Sequence, residues 1–318
     1  MRAAPGDGDG TRFVSGPSRP AIPAAAGEEN EVNDGQRTDQ QATAQDLAGI
    51  TDRGLSLASE GHTKEAIALL TRASESGYAA ATFGLGLVAD SQRSADEASG
   101  WYERAAEQGS TEAMFNLGVE AADRGDESKA QRWFEAAAQS GHTGAMESLA
   151  AIALDRDDLA SAERWYQQAV ESGDLGLAYN LALVLQEQGK QKEAVRALWR
   201  AATGQDPRAM VLLGDARRTE EPEQAEYWYR AGAALHHGPA LFGLGLTLAD
   251  RADYAGAEKA MVEAAEAGEK RAMGTLGALA ESHKQSREAL GWYERGAASG
   301  DQESIDALRR LGGSDIVI

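Results

Sequence analysis

Two adjacent histidines, His236-His237, come nearest in this chain to a metal site. A zinc or nickel ion needs three or four protein ligands at tetrahedral or similar spacing. The chain holds five histidines, His62, His142, His236, His237 and His283, with no His-x-x-x-His spacing and no cysteine. No third ligand stands near the pair, so it is expected in a solvated loop. The acidic pairs Asp157-Asp158 and Glu220-Glu221 could work as acid and base only in a sheltered cleft. They fall in short polar breaks, where carboxylates suit helix N-termini. The one Gly-Lys, Gly189-Lys190, has Val184 where a phosphate-binding loop would place its first glycine. There is no Gly-x-Ser-x-Gly elbow and no Ser-x-x-Lys pair. No residue is assigned a catalytic role, and neither metal nor cofactor is expected.

The elements that would carry any site are repeated. One landmark position recurs at Gln45, Gly77, Gly109, Gly141, Gly173, Gln205, His236, Gly268 and Gly300, in steps of 32 residues except for one of 31. Within Gly109–Ser140, Ala113, Leu117 and Ala121 mark a first amphipathic helix; Ala130, Phe134 and Ala137, with Trp133 alongside, mark a second. Arg124-Gly125-Asp126 breaks them, and Gly141 stops the second helix. Two short helices joined by a short turn must pack antiparallel, and each hairpin must stack on the next to bury its other face.

Small residues keep fixed places in this pattern. Gly86, Gly118, Gly214, Gly245 and Gly277 share one slot inside the first helix, where glycine costs about 1 kcal/mol relative to alanine, which predicts close approach of a neighbouring helix. Ala98, Ala130, Ala162, Ala194 and Ala225 form a small slot in the second helix, followed by Tyr102, Phe134, Tyr166, Leu198, Tyr229 and Tyr293. All six tryptophans fall in second helices, five of them (Trp101, Trp133, Trp165, Trp228, Trp292) in one slot. That regularity predicts packing rather than a base-stacking or cofactor row. The fold expected is all-α: a right-handed α–α solenoid of about eight 32-residue hairpins over residues 44–312, with a C-terminal capping helix.

The pattern Ala113-Met114-Phe115-Asn116-Leu117-Gly118, together with Ala98-Ser99-Gly100-Trp101-Tyr102-Glu103-Arg104-Ala105-Ala106, resembles the Sel1-like repeat, a relative of the tetratricopeptide repeat. The resemblance extends over about residues 45–312 and departs in one respect: the Gly-rich turn usual between the helices is cut to tetratricopeptide length. It implies an adaptor or scaffold that gathers other proteins. A cysteine-rich, secreted branch with penicillin-binding activity does not apply to a chain without cysteine.

The same resemblance implies which first-helix slots face a partner. One slot holds Thr51, Phe83, Phe115, Glu147, Tyr179, Val211 and Phe242; the slot four residues on holds Leu55, Leu87, Val119, Ala151, Leu183, Asp215 and Leu246. Residues four apart share a helix face, so each repeat offers a pair. The candidate partner-binding residues are Phe83, Leu87, Phe115, Val119, Tyr179, Leu183, Val211, Phe242 and Leu246, either as an apolar groove for a protein or peptide segment or as packing between neighbouring helices. The slots then turn small or charged at Gly274, Ala278, Asp306 and Arg310, as a terminal cap should.

The formal net charge is −20, from 51 acidic and 31 basic residues. This argues against nucleic acid and anionic lipid, which need clustered bases, and suits either basic partners or simple solubility. No signal segment or membrane-length apolar run is present, and the expectation is a cytoplasmic monomer. Arginine outnumbers lysine 24 to 7, a bias expected of a GC-rich bacterium. Residues 1–43, poor in large apolar side chains, are expected to form a disordered tail, and residues 313–318 a short C-terminal one. Against the scaffold stand two further possibilities: a metal-dependent or enzymatic accessory protein using His236-His237 or the acidic turns, and a self-assembling structural protein.

Overall fold

A computed structural model describes residues 43–312. The expected tails at 1–43 and 313–318 lie outside the described residues except for Thr43, which caps the first helix through Asp46. Among the described residues there are helices and turns but no strands. The described residues divide into two compact bodies, the first ending at Ser172 and the second beginning at Gly173.

In the first body the helices are α1 (Ala44–Ser59), α2 (Thr63–Glu75), α3 (Ala79–Ser91), α4 (Ala95–Glu107), α5 (Thr111–Asp123), α6 (Glu127–Gln139), α7 (Thr143–Asp155) and α8 (Leu159–Glu171). In the second they are α9 (Ala178–Glu187, preceded by a 3-10 turn), α10 (Gln191–Thr203), α11 (Pro207–Asp215), α12 (Pro222–Ala233), α13 (Gly238–Asp250), α14 (Tyr254–Glu266), α15 (Lys270–Ser282), α16 (Ser286–Ala298) and α17 (Gln302–Gly312). Each odd helix packs against the even helix that follows it, and within each body every hairpin stacks on the next. These are the hairpins and the capping helix expected, an α–α solenoid arrangement within each body.

The repeat length follows from local chemistry. In the regular units two 13-residue helices and two three-residue turns fill the period. Each turn is closed by a residue in the left-handed region: Gly109, Gly141 and Gly268 adopt φ of +90°, +92° and +88° at the landmark position. The backbone N–H of His142 then reaches back to the carbonyl of Ala137, and that of Gly141 to Ala138, ending the helix as a Schellman-type cap. Gln205 and His236 take the same conformation without being glycine, as do Arg93, Asp157, Ala252 and Lys284 in the turns inside hairpins. The 31-residue step is absorbed around a shortened α11, with Ala216–Glu221 bridging to α12.

The glycine slot has a specific tenant. A methyl group on Gly86 would stand 2.4 Å from the Tyr102 ring, on Gly118 2.5 Å from Phe134, and on Gly277 2.5 Å from Tyr293. At these positions the close neighbour is the aromatic ring of the second helix in the same hairpin, whereas at Gly245 it is the Met261 side chain. Gly54 does the same for Leu70, a position outside the row picked out from sequence. The alanine slot is equally tight: Ala130, Ala162, Ala194 and Ala225 are buried completely or nearly so. Trp101, Trp133, Trp165 and Trp292 are half-buried and Trp228 is buried, with arginines lying over Trp101, Trp165 and Trp292. This is the packing role the fixed slot predicted.

Candidate functional site

The nine candidate residues all sit on first helices, and the structure separates them into two kinds. Leu87 and Val119 are 6% and 4% exposed and belong to the core; they support the surface rather than form it. Phe83, Phe115, Tyr179, Leu183, Val211, Phe242 and Leu246 are half-buried. In the first body Phe83 leans on Tyr102 with ring centroids 5.6 Å apart, and Phe115 on Phe134 at 5.7 Å. One edge of each ring is thus committed to the same aromatics that fill the glycine slot.

The other side of Phe115 is covered from the next repeat. Over Phe115 lies the imidazole of His142, stacked at 4.4 Å and 16°. His142 is the N-cap of α7: its Nδ1 accepts from the N–H of Ala145 at 3.1 Å, so the ring proton resides on Nε2. Burial pushes its pKa below the ordinary histidine value, with Glu112 opposing. In the second body the equivalent place is taken by guanidinium groups. Arg208 lies 4.2 Å over Tyr179 and Arg271 lies 4.7 Å over Phe242. Each arginine is gripped in two-pronged fashion by the N-cap acid two residues before it, Asp206 for Arg208 and Glu269 for Arg271. The same acids also accept from the backbone N–H groups of Arg208 and Arg271. Burial would raise both carboxyls, but the arginine hydrogen bonds and charge outweigh it, and both pKa values fall below the carboxylate norm.

Sequence reading missed this device. Its signal was present as the acid-x-Arg spacing one and three residues after a landmark, at Asp206/Arg208 and Glu269/Arg271. It becomes meaningful only once the neighbouring repeat is known to place an aromatic beneath it.

The polar interruptions are also occupied. Asp215 accepts a hydrogen bond from the Tyr229 hydroxyl, and burial with this bond pushes the Tyr229 pKa up. Beyond Leu246 the row flattens at Gly274, where an added methyl would stand 2.7 Å from the Asp301 carboxylate. Asp301 is buried and accepts from the Ser304 backbone and hydroxyl. Thus α17 closes the stack with a buried hydrogen-bonded acid, a tighter cap than its small and charged slots alone suggested.

The other candidate chemistry does not converge. His236 is exposed in the left-handed turn, whereas His237 stands at the N-cap position of α13 without a side-chain capping bond, its Nδ1 shielded from solvent. Among the described residues no three His, Cys, Asp or Glu side chains gather into a metal-binding group. Asp158 caps α8 by accepting from the Ser161 N–H, while Glu221 precedes α12 without a side-chain cap. No helix among the described residues is long and apolar enough to cross a membrane.

Paired helices with aromatic-lidded first-helix faces define a helical-hairpin repeat protein. Residues 51–113 match the tetratricopeptide repeat model, and residues 111–142, 152–174, 207–237 and 283–301 match the Sel1 repeat. The chain thus carries tetratricopeptide and Sel1 repeats. Among solved structures it is similar to c5321, a protective antigen of uropathogenic Escherichia coli strains with an SLR fold, at 22% identity and a TM-score of 0.66 over 84% of this chain. It spans 65% of that protein's length. A Sel1 repeat protein from Oxalobacter formigenes is 24% identical with a TM-score of 0.48, over 62% of this chain and 86% of that one. No curated protein matches the chain. Proteins built from these repeats generally mediate protein–protein interactions and are generally not enzymes.

Proposed function

We propose that this chain is a non-enzymatic scaffold or adaptor that receives a segment of a partner protein along its first helices. The contact residues in this reading are Phe83 and Phe115 in the first body, and Tyr179, Leu183, Val211, Phe242 and Leu246 in the second. Leu87 and Val119 act from beneath. One observation carries the reading: this row stays half-exposed in both bodies, while its helical neighbours such as Leu85, Leu117, Leu181 and Leu213 are buried. Rings already held by a packed neighbour, as Phe115, Tyr179 and Phe242 are, lose little freedom on binding, which favours affinity, and arginine and tyrosine are frequent among residues that dominate interfaces. A bacterial, cytoplasmic protein fits the arginine-rich, cysteine-free composition.

Leu183→Glu with Leu246→Glu tests this. Both side chains are half-buried and outside the lids, so the double variant should keep its helicity and melt within a few degrees of the parent. Affinity purification from the source organism should then lose a specific protein that the parent retains. Retention of the same proteins by a folded double variant would remove the row from consideration.

A further inference from the structure

The repeat supplies its own control for what each outer position normally holds. Six residues before the landmarks, second helices carry Thr71, Glu103, Glu135, Gln167, Arg230, Val262 and Glu294; nine before, they carry Ala68, Gly100, Arg132, Arg164, Arg196, Lys259 and Gly291, none of them aromatic. Two helices of the second body place an aromatic there instead, Trp199 at the first position in α10 and Tyr227 at the second in α12. These side chains are 44% and 65% exposed. Both rings stand edge-on to Trp228, at 4.7 Å and 85° for Trp199 and at 5.0 Å and 77° for Tyr227. Trp228 is buried to 6% exposure, so it forms a fixed floor between two exposed aromatic walls. The exposed acids Glu220, Glu221 and Glu223 lead into α12, with Glu223 one turn before Tyr227 on the same face.

Exposed, rigid aromatics are the surface on which polyproline-II segments dock, because such a segment is extended before it binds. With three residues per turn, prolines at every third position line one edge. This chain carries one such series, Pro17, Pro20 and Pro23. It lies in Thr11–Gly27, which contains Arg12 and Arg19 and no acid, a basic island in a chain of net charge −20.

We propose that Trp199 and Tyr227 hold the Pro17–Pro23 segment of a second copy of this chain, with Arg19 directed to Glu220, Glu221 and Glu223. Nineteen residues separate Pro23 from Thr43, a tether that reaches about 65 Å when extended. Two like-charged bodies can therefore be joined without their folded surfaces meeting. The interaction lies on second helices, apart from the first-helix row, and stands or falls independently of it.

Sedimentation velocity of the full chain over a concentration series tests this. The parent should self-associate reversibly. A Trp199→Ala, Tyr227→Ala variant and a Pro17→Ala, Pro20→Ala, Pro23→Ala variant should each associate at least tenfold more weakly. The proline variant leaves every described helix untouched, so its loss cannot come from misfolding. Mixing the two variants should restore a one-to-one pair, since one still offers the aromatics and the other the prolines. A parent that stays monomeric at every concentration overturns the proposal. So does association undiminished in the proline variant, which would mean that the aromatic surfaces meet each other instead.

Discussion

The two bodies cover the same kind of half-buried aromatic with opposite chemistry. Phe115 in the first lies under His142, kept neutral by burial and by the hydrogen bond its Nδ1 accepts. Tyr179 and Phe242 in the second lie under Arg208 and Arg271, each held by a carboxylate that also caps its helix. Repeat geometry places a lid over that slot; sequence decides whether the lid is an imidazole or an ion pair. A segment reaching the first body meets rings and an uncharged imidazole, whereas in the second it meets guanidinium edges whose charge is largely matched by buried acids. The same backbone thus presents two surface chemistries.

The largest effect should come from the floor beneath the lids. Gly118→Ala drives a methyl into the Phe134 ring; overpacking should cost about 3 kcal/mol, offset by about 1 kcal/mol of helix preference, a net loss of about 2 kcal/mol. Gly245→Ala in the second body meets the flexible Met261 side chain instead and should stay within about 0.5 kcal/mol of the parent. Urea midpoints of the two variants should separate clearly. Equal losses would mean that ring rigidity does not set the glycine requirement.

Removing the lids sharpens the contrast. Asp206→Ala deletes a helix cap and the anchor of Arg208 and should cost about 1.5 kcal/mol; His142→Ala deletes a cap and a ring stack and should cost about 1 kcal/mol. Thermal melts at neutral pH give the order. Smaller again, and opposite in sign, is Ala252→Gly: Ala252 holds φ +62°, and relieving a left-handed residue, less the entropy glycine adds to the unfolded chain, should stabilise by about 0.5 kcal/mol.

The lids also respond to pH in different windows. His142 has a lowered folded-state pKa, so the unfolded chain takes up a proton near pH 6.5 while the folded one resists. Its contribution is complete above that point and lost as pH falls below it. Asp206 and Glu269 are also depressed, but from carboxylate values, so theirs is lost only as pH falls below about 4. His142→Asn keeps a capping side chain without a titrating ring and should flatten the stability profile between pH 7.5 and 5.5. An unchanged slope would assign that pH dependence to other groups.

Most of the architecture was legible because the repeat samples each position eight times. A glycine costly to a helix, recurring at Gly86, Gly118, Gly214, Gly245 and Gly277, pointed to a close neighbour; the structure adds that the neighbour is a second-helix ring at four of them and Met261 at Gly245. The candidate row was legible as a face but not as a surface. Leu87 and Phe83 share a helix face, yet Leu87 is buried and Phe83 is not, because burial depends on how deeply the adjacent hairpin seats. The arginine lids stayed hidden for a related reason: Arg208 and Tyr179 are 29 positions apart and touch only after stacking.

The central claim, partner binding along the first helices, is met most directly by photo-crosslinking in the source organism with a benzoyl-phenylalanine placed at Leu183 or, as an outer control, at Tyr254, which is 72% exposed. The account predicts a discrete crosslinked protein from position 183 and none in common from position 254. Capture from 254 with nothing from 183 would contradict it and move the interaction to the outer surface.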